Sequence, residues 1–112
     1  MPLVTLTTNQ ALAGKSALCL ALSKATADLL GKPESYVMVL VQDAQTLSFA
    51  GTKEPAALLQ LKSLGLAEDL TSQYSEKLCN LVNEQVGIPS SRIYIEFSSP
   101  ARHLWGWDKR TF

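Results

Sequence analysis

The chain predicts an α+β fold in which two copies of a βαβ unit build a four-stranded mixed sheet with two helices on one face. The first observation behind this is a repeat at half the chain's 112 residues. Gly31-Lys32-Pro33 recurs as Gly87-Ile88-Pro89, Ser35 as Ser91 and Val37 as Ile93, while Leu18, Leu22 and Leu30 recur as Tyr74, Leu78 and Val86. The second is that each half orders its apolar patterns alike, a short run, then a stripe of helical period, then a second run. Crossovers between parallel strands are right-handed, so both helices land on one face. The halves, residues 1–56 and 57–112, form one domain over 1–112.

Each element follows from its pattern. Residues 2–8 alternate Pro2, Val4 and Leu6 with Leu3, Thr5 and Thr7, a strand. From 13 to 30, Leu18, Leu22, Ala25 and Leu29 stripe one side of a helix. Gly31 suits a left-handed cap and Pro33 stops continuation. Residues 36–41 are then a strand with almost no polar alternation, which calls for cover on both faces. Two helices cover one face only, so the other is expected to meet another copy of the chain. Residues 58–61 read as a strand, 68–86 as a helix striped by Leu70, Tyr74, Leu78, Leu81, Val82 and Val86, and 92–97 as the closing strand. Short strands are expected at 46–50 and 105–107.

Composition narrows the function. Ten basic and ten acidic residues give zero net charge without any long block, unlike a nucleic-acid footprint, so no nucleic-acid partner is expected. No 18-residue apolar stretch marks a membrane span, and the start lacks the pattern of a secretory signal. Cys19 and Cys79, in separate helical segments without CxxC spacing, read as buried reduced thiols. The expected compartment is the cytoplasm, with non-classical release left open. His103 is the single histidine, so no serine–histidine–acid set and no zinc site with three ligands is available. No Walker loop or GxGxxG occurs, and no cofactor is expected.

Pro2 remains. Methionine before a small residue is commonly removed, which leaves proline with a free secondary amine. A terminal amine titrates closer to neutrality than other protein amines. Burial near another cation lowers its pKa further and makes it a usable general base. With Met1 retained, the Pro2 nitrogen is an amide and cannot take that role. Read alone, a proline at the start of a strand is more often structural.

Six motifs alter that weighting: Met1-Pro2; Gly31-Lys32-Pro33; Phe49-Ala50-Gly51 with Glu54-Pro55; Ser63-Leu64-Gly65; Arg92-Ile93-Tyr94-Ile95; and Gly106-Trp107 with Thr111-Phe112. In this order and spacing the chain resembles the macrophage migration inhibitory factor family of the tautomerase superfamily, over its whole length. The resemblance implies the same duplicated fold, a homotrimer whose sheets wrap a central channel, and cofactor-independent keto–enol tautomerisation of phenylpyruvate-like α-keto acids or dopachrome-type substrates. It implies Pro2 as the base and Lys32 as the group that binds the substrate carboxylate. Ser63 and Leu64 would stand beside the proline, Tyr94 would come from the neighbouring subunit, and Tyr36, Trp107 and Phe112 would rim the pocket. Without the resemblance Lys32 serves as well as a helix C-terminal cation, and each aromatic as core or interface.

Tyr94 and Glu96 lie two apart on one strand and share a face, opposite Ile93, Ile95 and Phe97. Glu96 departs from the family, which carries a neutral asparagine there. A carboxylate close to Pro2 would raise the amine's pKa and repel an anionic substrate, unless Lys32 or Arg92 offsets it. Ala56 and Leu59 stand where the animal cytokines carry CxxC, and Leu12 and Ala44 where they carry a charged pair linked to receptor mimicry. Neither property is expected here. Trp105 is expected to narrow the pocket mouth. The competing reading is a non-catalytic interaction protein that keeps the trimer and the pocket.

Overall fold

A computed structural model describes all residues 1–112. Its main sheet has the order β2-β1-β3-β4, from β1 (Leu3–Thr8), β2 (Met38–Gln42), β3 (Ala57–Lys62) and β4 (Ile93–Ser98). β1 runs parallel to β2, β3 parallel to β4, and the halves join where β1 and β3 pair antiparallel. Helices α1 (Lys15–Leu30) and α2 (Thr71–Val86) connect the parallel pairs. The duplicated mixed sheet expected from the sequence is therefore present.

The core follows from strand alternation. Val4, Leu6, Leu59 and Leu61 point to the helix side, where they are buried against Leu18, Leu22, Leu78 and Val82. Each such side chain stabilises the fold by roughly 1.5–3 kcal/mol through apolar burial. Both helices end alike: Gly31 (φ 63°) and Gly87 (φ 75°) adopt the left-handed cap, a conformation that costs a side-chain-bearing residue strain.

Several boundaries differ from the sequence reading. Tyr36 is not in a strand, because Pro33 leads into a 3₁₀ turn over Glu34–Tyr36, closed by the Val37 N–H donating to the Glu34 carbonyl at 3.0 Å. The segment 68–86 begins as a 3₁₀ turn over Glu68–Leu70 before α2. No strand forms over 46–50. Phe49 and Thr52 pair as an isolated bridge, with Ala50 (φ 52°) and Gly51 (φ 74°) in the left-handed conformations of a tight turn. The strand expected over 105–107 is a hairpin, β5 (Gly106–Trp107) against β6 (Arg110–Thr111). Cys19 and Cys79 are free but only half-buried, since they sit at the flanks of the helix stripes.

The other sheet face is open. Across it the register aligns three rows: Met38, Leu3, Lys62 and Ser98; Leu40, Thr5, Gln60 and Glu96; Gln42, Thr7, Leu58 and Tyr94. Met38 is 67% exposed, Leu40 47% and Tyr94 66%. Within one chain the expected second cover of the 36–41 segment is absent, and its apolar side chains face solvent. No helix is long and apolar enough to cross a membrane.

Candidate active site

The N-terminus, the end of α1, the loop after β3 and the C-terminal hairpin meet around a cavity of about 490 Å³. Pro2 is buried, and its carbonyl accepts the Met38 N–H at 3.0 Å, which anchors the chain start to the edge strand. The residue before it, Met1, lines the cavity. Opposite stands Lys32. Its backbone N–H donates to the Ala27 carbonyl at 3.0 Å beside the helix cap, while its ammonium donates to Ser63 Oγ at 2.9 Å and to the Leu64 carbonyl at 2.5 Å. The side chain is thus aimed across the cavity floor rather than back along the helix. Ser63 is itself buried and held to the sheet by its N–H, which donates to the Ser98 carbonyl at 3.1 Å.

The rim is aromatic. Tyr36 meets Trp107 edge to face at 6.0 Å between ring centroids, and Trp107 lies nearly parallel to Phe112, also at 6.0 Å. The β5–β6 hairpin places Trp107 through a two-residue turn in which Asp108 (φ 49°) and Lys109 (φ 68°) are left-handed. The Phe112 N–H then donates to the Trp105 carbonyl at 3.2 Å, which folds the last residue back over the cavity. Trp105 does not narrow the mouth. It is half-buried, with the Lys62 ammonium 5.7 Å from its ring, and the cavity lining omits it.

The electrostatics favour a neutral amine and a bound anion. Burial pushes the Met1 amine below its ordinary value, with Lys32 and then Arg102 adding to the shift. Burial likewise lowers the Lys32 ammonium, helped by Arg102. No Asp or Glu side chain lines the cavity, while Arg102 and Arg110 both do. An amine of lowered basicity beside a carbonyl-bearing anion can take a proton from the carbon next to that carbonyl. No group of acidic, cysteine or histidine side chains suited to hold a metal ion occurs.

One chain therefore brings together the N-terminus, Lys32, Ser63, Leu64, Tyr36, Trp107 and Phe112. It does not bring in Tyr94 or Glu96. Tyr94 packs against Phe49 at 4.9 Å, and the Gln60 side-chain amide donates to Glu96 at 3.1 Å in a separate groove on the open sheet face. Arg92 offsets neither the cavity nor Glu96. Its guanidinium donates to the Pro55 and Glu54 carbonyls at 2.8 and 3.0 Å and lies over Phe49. Arg110 and the backbone of Gly65 escaped sequence reasoning as cavity residues. Two arginines within ten residues of the C-terminal aromatic pair were the available signal, but they sit in a stretch that reads as a polar loop.

A family model described as macrophage migration inhibitory factor (MIF) matches residues 1–112. The chain is 38% identical over 114 residues to the macrophage migration inhibitory factor homolog of Trichinella spiralis, with all of both chains covered. It is 33% identical over 92 residues to macrophage migration inhibitory factor of Xenopus tropicalis, covering 81% of this chain and 80% of that one. Among solved structures, the macrophage migration inhibitory factor homologue from Prochlorococcus marinus superposes with a TM-score of 0.93 at 37% identity, covering 98% of each chain.

Proposed function

Since the chain belongs to the macrophage migration inhibitory factor family, we propose that it is a cofactor-independent keto–enol tautomerase of aromatic α-keto acids, with Pro2 as general base once Met1 is removed. The observation that carries this reading is the N-terminus, a half-buried Met1 followed by a buried Pro2, sharing a cavity with Lys32, whose ammonium is already positioned by Ser63 and Leu64. In the proposed reaction Lys32 holds the substrate carboxylate, and the aromatic rim holds a flat ring. The Pro2 nitrogen accepts a proton from the carbon next to the keto group. That bond pair becomes the enol double bond, and the carbonyl oxygen takes up a proton, so composition is unchanged. The burial and the charges of Lys32 and Arg102 that depress the Met1 amine would act on a Pro2 amine one residue along the chain.

The assembly belongs to the same proposal. Three copies would cover Met38 and Leu40 on the open face and carry Tyr94 and Glu96 toward a neighbour's cavity, where one chain alone cannot place them. Two separate free cysteines fit a reducing compartment, and we assign the protein to the cytoplasm. An intact-mass measurement first establishes that Met1 is absent. Pro2→Gly is then expected to cut phenylpyruvate tautomerisation by about 10²-fold or more, the usual contribution of a positioned base, with the oligomer intact. Unchanged turnover in that variant favours the interaction-protein reading instead.

A further inference from the structure

The chain has three arginines, and two of them face the one cavity. Arg92 is committed to structure through its bonds to Glu54 and Pro55. Arg102 and Arg110 make no side-chain hydrogen bond, and the single ion pair of the molecule is Lys15 with Asp43, elsewhere. A monocarboxylate needs one cationic partner, which Lys32 supplies. With Arg102 sharing that carboxylate, one of the two guanidiniums still exceeds what a substrate such as phenylpyruvate can use. They also differ in place. Arg102 lines the cavity from the 3₁₀ turn over Arg102–Leu104, and its charge helps lower both the terminal amine and Lys32, which puts it on their side. Arg110 lies over the Trp107 ring, 5.1 Å from its centroid, on the aromatic wall.

We propose that this cavity selects doubly anionic α-keto acids, with Lys32 and Arg102 taking the keto-acid carboxylate and Arg110 taking a second carboxylate at the far end of the molecule. Arg110 is a specificity residue here, held over Trp107 so that its planar fork meets an acid lying along the aromatic wall. Even if a neighbouring copy brought its Glu96 to the mouth, the side-chain cations would remain in excess. The reaction assigned to this substrate rests on the tautomerase reading, whereas the binding does not.

Protein lacking Met1 is assayed with phenylpyruvate and with 4-carboxyphenylpyruvate at low ionic strength. A charge-assisted contact at a partly open site supports a kcat/KM preference of about tenfold for the dianion, diminishing as salt is added. Arg110→Gln should bring the ratio of the two specificity constants toward one, and Arg110→Lys should restore part of it. Equal constants in the wild type, or a preference that Arg110→Gln leaves intact, overturns the proposal. Calorimetry with the unreactive pair 4-carboxyphenylacetate and phenylacetate separates the two ideas. Tighter dianion binding that depends on Arg110, without turnover of either keto acid, retains the subsite and removes the tautomerase. Turnover of both keto acids with equal binding of the pair does the reverse.

Discussion

Asn9 is the fastening point of the long loop between β2 and β3, and Asn9→Ala should unfasten it. Its amide donates to the carbonyls of Leu47, Lys53 and Glu54 at 3.2, 3.2 and 2.9 Å, while its oxygen accepts the Ala56 N–H at 3.1 Å and the Gln10 side chain at 3.0 Å. The losses are unequal. Carbonyls of Lys53 and Glu54 return to water, so each bond contributes a net of roughly 0.5–1 kcal/mol. Ala56 is only 1% exposed. Leaving its N–H without a partner costs about 1–3 kcal/mol. The total comes to about 2–5 kcal/mol, and with an unfolding entropy near 2.1 cal/mol/K per residue this lowers the midpoint by about 9–21 °C. The loop also carries Phe49, which holds Tyr94 at 4.9 Å, so turnover should fall as well if Tyr94 serves a neighbour's cavity. Calorimetric scans at matched protein concentration measure the first effect, since oligomers make the midpoint concentration-dependent. Hydrogen exchange at Ala56 measures the local one. A midpoint within about 3 °C of wild type, far below what a stranded buried N–H implies, together with unchanged protection at Ala56, would refute the reasoning.

Two further outcomes are expected. Leu40→Lys places a charge on the open sheet face at each copy, and sedimentation should then report the 12.2 kDa single chain in place of an oligomer, with the circular dichroism spectrum retained. An oligomer that survives this change removes the sheet face from the interface. Arg102→Gln withdraws one of the causes that lower the terminal amine, though burial, the largest, remains. The Met1 amine pKa should rise, and on the proposed reading so should that of the Pro2 amine in protein lacking Met1, so the acidic limb of its kcat/KM profile should move to higher pH, because only the neutral amine acts as base. Linkage has the matching sign. A cation disfavoured by folding makes the unfolded state bind more protons below the ordinary Met1 amine value of 8.0, so the stability of protein that keeps Met1 declines as pH falls through that region, and Arg102→Gln should flatten the decline.

The halves were legible because their signals are local. Gly31-Lys32-Pro33 and Gly87-Ile88-Pro89 end helices through backbone conformation and a missing donor, and the Leu18–Leu22 and Tyr74–Leu78 spacings set one buried stripe each. Periodicity also separated Tyr94 and Glu96 from Ile93 and Ile95, and the structure keeps them on opposite faces. The turn at Glu34–Tyr36 and the bridge at Phe49 and Thr52 were hidden in runs rich in strand-forming residues, where hydrogen bonding from Pro33 and Asn9 overrides propensity.

What the sequence determined by itself was the doubled βαβ order, the apolar strand that calls for a second cover and the proline at the start of β1. Folding alone decided which charges share the cavity. Lys32 reaches Ser63 only because β3 is threaded beside β1, Arg102 arrives through the 3₁₀ turn over Arg102–Leu104, and Arg110 only because the Asp108-Lys109 turn reverses the chain end over Trp107. Neither juxtaposition has a period or a spacing, since each depends on the path of the backbone in space.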